Sequence, residues 1–266
     1  MQLFHYNSMN LDIEQIREQH PDPRKHPLHA HMYYEICWLK EGRGIYHIEG
    51  NEYAPEPGDP VLIRPGEAHY VEVDSTAPLE RILFSFGNSF LQTLDPGKTL
   101  QAPFLPQSGL RNLYRNVDHP HLHTNLKAMM DVQNDRGELV ICLIRFLQQL
   151  NTAYCQESPR HPHRETVERQ IIRLINDNYH LDLSLQELCD RFYLSRAQLC
   201  RRFQKATGSS VGKYITLKRL TAAQQLIGQG RKLSDVSSLC GFRDYSTFYR
   251  AYTRHFGHSP KENREK

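Results

Sequence analysis

The stretch Ser195–Gly208, SRAQLCRRFQKATG, carries the strongest local signal in this 266-residue chain. Ser195 is a favoured helix N-cap residue, and Gln198 three positions later completes a capping box. Leu199 and Phe203 lie four residues apart, which predicts one buried helix face, and the closing glycine predicts the helix end. The basic residues fall on or near the open side: Arg196, Arg201, Arg202 and Lys205. The stretch therefore predicts a helix that is anchored on one face and positively charged on the other.

The residues before this helix predict a second, shorter helix that packs against it. Leu185, Leu188 and Cys189 form one apolar face, and residues 192–194 form a tight connection to Ser195. A short helix, a tight turn and a second helix with a basic face are the elements of a helix-turn-helix unit.

The same pattern returns about fifty residues later. Leu233, Val236 and Leu239 predict a short helix, and Gly241 leads to a second helix capped by Asp244 or Ser246. On that helix Phe248 and Tyr252 are predicted to face inward, and Arg250 and Arg254 outward. A long apolar helix over residues 210–229 is predicted to hold the two units at a fixed distance.

Charge is divided unevenly along the chain. Residues 1–163 contain 14 Lys and Arg against 20 Asp and Glu, a net of −6, whereas residues 164–266 contain 19 against 10, a net of +9. A basic surplus confined to the region with the helix-turn-helix units favours double-stranded DNA as its partner.

The order of these motifs resembles the DNA-binding domain of the AraC/XylS family. The residues that carry the resemblance are SRAQLCRRFQKATG, then Y-I-x-x-x-R-L-x-x-A-x-x-L-I, G-F-x-D-x-S-x-F-x-R-A-Y and F-G-x-S-P, over residues 165–261. The resemblance implies that two recognition helices enter successive segments of the major groove. It assigns base contacts to Ala197, Cys200 and Arg201 in the first unit and to Tyr245, Ser246, Thr247 and Arg250 in the second.

The first 86 residues have a different pattern, in which short alternating segments are separated by Gly and Pro turns. The segments YYEICWLK, GIYHIE, PVLIR and ERILFSF fit strands of a small β-barrel or sandwich. Residues 29–35 and 58–69 also resemble the two motifs of the cupin barrel. The predicted fold is therefore α+β and multidomain: a cupin-like β-barrel followed by helices, then an all-α domain with two helix-turn-helix units.

Domain limits follow from the change in composition. Residues 156–165, QESPRHPHRE, contain two prolines and no large apolar residue, and so predict a linker. This gives an effector-binding and dimerisation domain over residues 1–155 and a DNA-binding domain over residues 166–266.

The predicted barrel has the residues for a polar pocket. If the segment from His29 is extended, His29, His31, Tyr33 and Glu35 share the interior face, whereas Tyr34 and its alternate neighbours pack outside. The expected effector site consists of His29, His31, Tyr33, Glu35, Tyr46, Arg64 and His69.

Four of these residues also allow a different interpretation. His29, His31, Glu35 and His69 are the side-chain types that bind divalent metals, and the cupin resemblance implies that use in enzymes. The alternatives are that the signature maintains the fold or holds an organic effector, with no metal cofactor, or that the chain is a metal-dependent cupin enzyme or a metal-responsive regulator.

The helix predicted over residues 138–155 has one apolar stripe, formed by Leu139, Leu143, Phe146 and Leu150. Such a stripe serves either for packing within the domain or as the seam of a symmetric homodimer.

Together these features predict a transcription regulator rather than an enzyme, and the family resemblance implies an activator. The expected partners are DNA, a small polar effector such as a sugar, a second copy of the chain and RNA polymerase. No apolar run approaches the ~18 residues of a membrane span, and the first ten residues lack the features of a signal peptide, so we expect a cytoplasmic protein.

Overall fold

The computed structural model describes residues 1–8, 11–95, 97–105, 111–132, 134–156 and 166–262. The N-terminal domain begins with strands, and its helices follow the strands in the sequence. Its strands are β1 Gln2–Ser8, β2 Leu11–Glu18, β3 Tyr34–Glu41, β4 Gly44–Ile48, β5 Asn51–Tyr53, β6 Pro60–Ile63, β7 His69–Val73 and β8 Leu79–Phe86.

These strands form two antiparallel sheets within the described residues. The larger has the order β1-β2-β8-β3-β6, and the smaller has the order β5-β4-β7. All four strand segments predicted from the sequence are present, each within two residues of its expected limits.

Successive side chains of β3 point to opposite faces of the larger sheet and so contribute to two separate cores. Ile36 and Trp38 point to one face, where they join a core shared with the following helices. Cys37 and Leu39 point to the other face and pack against the smaller sheet, whose Tyr46 belongs to the same cluster. Because successive side chains of a strand alternate in direction, one strand supplies both cores.

Three helices cover the outer face of the larger sheet: α1 Asn88–Leu94, α2 Pro120–Asp131 and α3 Arg136–Gln156. The apolar stripe of α3 lies entirely within this core, and its four predicted residues are 0% exposed. The interpretation of these residues as a dimer seam is therefore wrong, because α2 and the sheet already bury them. Ile141, which is 41% exposed, lies on the open side of α3 instead.

The C-terminal part is helical, as predicted. Its helices are α4 Val167–Asn178, α5 Leu185–Phe192, α6 Arg196–Thr207, α7 Val211–Gly228, α8 Leu233–Leu239 and α9 Tyr245–Phe256. No helix among the described residues combines the length and apolarity needed to cross a membrane. Most of the predicted linker, residues 157–165, lies outside the described residues.

Candidate functional site

The first helix-turn-helix unit consists of α5 and α6 and is defined by two capping boxes. Ser184 caps α5, with Glu187 as its reciprocal partner. Ser195 caps α6: its hydroxyl accepts from the Gln198 amide at 3.2 Å, and the Gln198 side chain accepts from the Ser195 amide at 2.9 Å. Each box satisfies backbone donors that a helix start would otherwise leave unpaired. The turn between the helices is thereby set by local sequence.

The second unit consists of α8 and α9. Asp244 caps α9 by accepting from the Thr247 amide at 2.7 Å. The turn before it requires glycine, because Gly241 has φ of +78°, and a Cβ placed there would lie 2.4 Å from the carbonyl oxygen of His180. Phe248 and Tyr252 are fully buried, so α9 has one fixed inner face.

Helix α7 connects the two units mechanically. Tyr214 and Leu217 near its start belong to the core of the first unit, and Leu220 and Ile227 near its end belong to the core of the second. One continuous helix that is buried in both cores fixes the relative orientation of α6 and α9.

The side chains predicted to contact DNA bases all lie on the open faces of α6 and α9. They are exposed in every case: Ala197, Cys200 and Arg201 on α6, and Tyr245, Ser246, Thr247 and Arg250 on α9. The hydroxyl of Thr247 already donates to the Asp244 carboxylate at 2.9 Å, so its methyl group is the part left for a base. Arg202 is half-buried and pairs with Glu168, which separates it from the exposed arginines.

A cavity of about 320 Å³ lies in the N-terminal domain, lined by side chains of β3, β4, β6, β7 and β8 and of residues 25–29. Its volume is in the range that takes a small molecule. The lining residues are Lys25, His26, Pro27, His29, Glu35, Tyr46, Ile63, His69, Val71, Arg81 and Leu83.

Four predicted effector residues line this cavity, and three do not. His29, Glu35, Tyr46 and His69 do so, and His31 is adjacent, with its ring centroid 5.0 Å from that of His69. Tyr33 was expected inside but is 39% exposed, because β3 begins only at Tyr34 and strict alternation does not reach it. Its ring stacks on His31 at 3.7 Å.

Arg64 is the other exception. It is buried away from the cavity, where it pairs with Glu67 at 2.9 Å and donates to the carbonyl groups of Pro103 and Arg111. Arg64 therefore ties the end of β6 to the backbone at Pro103 and Arg111, and it does not line the cavity.

Arg81 was not among the residues predicted from the sequence, but its side chain, 13% exposed, lines the cavity. Arg81 alternates on β8 with Ile82 and Phe84, which pack against the helices, so the strand pattern predicts that it faces the other sheet. It lies 3.2 Å from Nδ1 of His26, another lining residue. Arg81 also lies near the buried Cys37, whose pKa is raised to about 12 by burial.

The polar residues of the cavity influence each other's ionisation. Burial, and after it the charge of His29, lower the pKa of His69 to about 3. Burial opposes ionisation of Glu35, but pairing with His31 and the charges of His69 and His29 lower the pKa of its carboxyl to about 2. Glu35 is therefore an anionic group of the site, and burial lowers the pKa of both His29 and His69.

The DNA-binding helices dock on the N-terminal domain beside this cavity. The docking surface consists of Ala30, Glu49, Gly50, Ala68 and Tyr70. Ala30 and Ala68 pack into the core of the first helix-turn-helix unit. Gly50 has φ of +73°, a conformation that L side chains rarely adopt, and a Cβ there would also lie 2.4 Å from the terminal methyl group of Ile172, which would have to move.

Glu49 is the polar centre of the docking surface. Its carboxylate, 7% exposed, accepts from Nζ of Lys218 at 2.8 Å, from the Tyr214 hydroxyl at 3.0 Å and from the Asn176 amide. Lys218 also donates to the Gly66 carbonyl at 2.6 Å. Burial and then the Glu49 charge raise the pKa of Tyr214, which keeps this hydroxyl a donor.

Comparison with known proteins places both parts of the chain in characterised families. Residues 10–149 match the AraC-like ligand binding domain, and residues 188–266 match a helix-turn-helix domain. The HTH-type transcriptional activator RhaS of Yersinia pseudotuberculosis serotype I (strain IP32953) is 26% identical over 252 residues, covering 90% of this chain and 89% of the relative. The same activator of Yersinia pestis (strain Pestoides F) is equally similar.

Solved structures similar to the chain include ToxT from Vibrio cholerae. It aligns with a TM-score of 0.42 and 14% identity, over 96% of this chain and 97% of that chain. The matched families consist of transcription regulators. The chain is therefore a regulator and not the metal-dependent cupin enzyme that the sequence also allowed. The chain thus belongs to the AraC family of DNA-binding transcription regulators, with an N-terminal ligand-binding domain and a C-terminal helix-turn-helix domain.

Proposed function

We propose that this regulator activates transcription from specific operators through base contacts of Ala197, Cys200, Arg201, Tyr245, Ser246, Thr247 and Arg250. The observation that carries the proposal is the pair of capped helices α6 and α9. Helix α7 is buried in the cores of both units and fixes their relative position, and the predicted contact faces of α6 and α9 stay exposed. Activation is inferred from the RhaS relatives, which are named as activators. An activator also needs a contact with RNA polymerase, which we include in the proposal.

The effector is proposed to be a small polar molecule, such as a sugar, bound in the 320 Å³ cavity. The carboxylate of Glu35, the guanidinium of Arg81 and the hydroxyl of Tyr46 offer both acceptors and donors to ligand hydroxyl groups. His29 and His69 complete the polar lining, and His31 supports it from the side. Tyr33 and Arg64 do not line this cavity, so the proposed ligand contacts do not include them.

The proposed organisation keeps the limits drawn from the sequence. Residues 1–155 form the sensing and dimerisation domain, residues 156–165 the linker and residues 166–266 the DNA-binding domain. The two family matches, residues 10–149 and 188–266, fall on either side of that linker. The protein is proposed to act in the cytoplasm as a homodimer, which would double the number of DNA-contacting units.

Selection of bound duplexes from a random pool with the full-length protein tests the proposed function. The recovered site should contain two conserved segments about one helical turn apart. Arg201→Ala should weaken binding to that site by ~1 to 3 kcal/mol and relax base preference at one position in one segment, and Arg250→Ala should do so in the other.

Lys205→Ala is the matched control, because Lys205 is an exposed basic residue in the last turn of α6, outside the predicted contact set. It should leave the base preference unchanged. Recovery of no preferred sequence, or an equal loss on random DNA for both arginine variants, would contradict the assignment of base contacts.

A further inference from the structure

Arg81 places a permanent positive charge in the wall of the cavity. On β8 it lies opposite Ile16 of β2 and Leu39 of β3, so a strand flanks it on each side. It shares the cavity face of β8 with Leu83. A guanidinium is not deprotonated in proteins, so this charge is present whatever the surroundings of Arg81.

The described residues satisfy only a small part of this guanidinium. Its one hydrogen bond to them is donated by Nη2 to Nδ1 of His26, at 3.2 Å. Nε is buried and makes no hydrogen bond to the part of the chain that the structure describes. A guanidinium carries five N–H donors, so most donors of Arg81 have no acceptor among the described residues.

His26 separates Arg81 from its nearest carboxylate. The Glu18 carboxylate lies 3.2 Å from Nε2 of His26 but 4.0 Å from Nη2 of Arg81. Because Nδ1 of His26 accepts from Arg81, the proton of this ring is on Nε2, the nitrogen next to Glu18. The closest contact of Glu18 in this group is therefore with His26 and not with the guanidinium.

The charged residues of the lining do not supply the missing anion either. Glu35 is the one carboxylate among the described lining residues, and it lies 3.5 Å from Nε2 of His31, with no ion pair to Arg81. Lys25, an exposed lining residue, adds a second positive charge that has no ion-pair partner among the described residues. A charge removed from water is costly unless it is paired and hydrogen-bonded. The cavity therefore has a place for an anion next to Arg81.

We propose that the effector carries a carboxylate group, which Arg81 binds through the N–H groups that His26 leaves free. The planar guanidinium matches a carboxylate in geometry and can bind it with two parallel hydrogen bonds. Lys25 adds a second attraction for the same charge. This inference names the ligand class of the proposed effector site, and it rests on the proposed function of that site.

The rest of the lining restricts what the carboxylate is attached to. Ile63, Val71 and Leu83 offer apolar surface to the C–H groups of a ligand, and the Glu35 carboxylate can accept from its hydroxyl groups. A volume of about 320 Å³ takes only a small molecule. The ligand class is therefore a small hydroxy acid, such as an aldonate or a uronate, and not a neutral sugar.

The test measures binding of matched acid and neutral compounds to the full-length protein by calorimetry and by melting temperature. The pairs are glucuronate and glucose, galacturonate and galactose, gluconate and sorbitol, and lactate and propane-1,2-diol. In each pair a CH₂OH group replaces the carboxylate. At least one acid should raise the melting temperature and bind about 10- to 150-fold more tightly than its neutral counterpart. If no acid binds better than its counterpart, the proposal is overturned.

Arg81→Gln should remove this preference by weakening the acid about 10- to 150-fold, with the affinity for the neutral compound unchanged. Arg81→Lys, which keeps the charge but not the fork, should retain part of it. Arg17→Gln is the matched control, because Arg17 lies on the neighbouring strand β2 and pairs with Glu41 and Glu80 outside the cavity. Full acid preference in a folded Arg81→Gln protein would refute the role of Arg81. The comparison within each pair uses the wild type alone and decides the ligand class even if this variant does not fold.

Operator affinity separates this proposal from the one on which it rests. The preferred acid should change the affinity of the wild type for its selected site about 5- to 150-fold, and this response should be lost in Arg81→Gln. If a neutral compound binds and produces the response while the acids do not, the carboxylate is refuted and the proposed effector site stands. If an acid binds through Arg81 without changing operator affinity, the carboxylate site stands and the proposed effector role of the cavity is refuted.

Discussion

The docking of the DNA-binding domain can be tested at one buried ion pair. Glu49 is 7% exposed, and its partner Lys218 is the only one of its described contacts that carries a full positive charge. Lys218→Met removes that charge and keeps most of the length and the apolar stem of the side chain. The carboxylate would then remain buried with neutral donors alone.

The magnitude follows from the contacts that remain. Removing one partner of a buried ion pair typically costs ~3 to 5 kcal/mol. Three donors still reach Glu49, from Ala68, Tyr214 and Asn176, which places the cost near the lower limit of that range. A loss of about 3 kcal/mol shifts an equilibrium by roughly a hundredfold. Because water can reach Glu49 when the domains separate, we expect this change to favour the undocked arrangement over unfolding of either domain.

Small-angle scattering of the full-length protein measures that change as an increase in the radius of gyration. Lys213→Met is the matched control, because Lys213 is an exposed lysine on the same helix. Adding Glu49→Gln to Lys218→Met should recover part of the compact state, since it removes the uncompensated charge. A Lys218→Met protein with the scattering profile and melting temperature of the wild type would refute the role of this pair in docking.

Three further predictions concern the fold, the oligomeric state and DNA binding. Gly241→Ala should lower the free energy of unfolding by more than ~1 kcal/mol in urea, because Gly241 has φ of +78° and a Cβ would lie 2.4 Å from the His180 carbonyl oxygen; a change below the error of the measurement would contradict the assigned turn. Ile141→Glu, on the open side of α3, should give a folded monomer in sedimentation, and an unchanged dimer would exclude this face as the dimer interface. Leu143→Glu should instead unfold the domain, because Leu143 is 0% exposed. Residues 164–266 should bind DNA with an affinity that falls steeply with salt, as their net charge of +9 implies, and an affinity independent of salt would refute phosphate contacts.

Local sequence alone determined the DNA-binding helices and most strands. Ser195 and Gln198 form their capping box from residues three apart, and Gly208 ends the same helix in a left-handed conformation with φ of +68°. These are interactions between near neighbours, so their geometry depends little on the rest of the fold. The strand alternation around Cys37 was predictable for the same reason, because a strand turns successive side chains to opposite faces.

Only the tertiary structure decided which surfaces those patterns serve. The stripe of α3 has the same sequence whether it packs in its own domain or in a dimer, and burial of Leu143 against distant residues settles that question. Arg64 directly follows β6 and Arg81 lies on β8, both strands of the larger sheet. Arg64 nevertheless donates to the backbone at Pro103, whereas Arg81 lines the cavity. Glu49 and Lys218 are 169 residues apart, and their contact arises only when the helices dock on the sheets. Such long-range contacts depend on packing of the whole chain, which residue spacing does not encode.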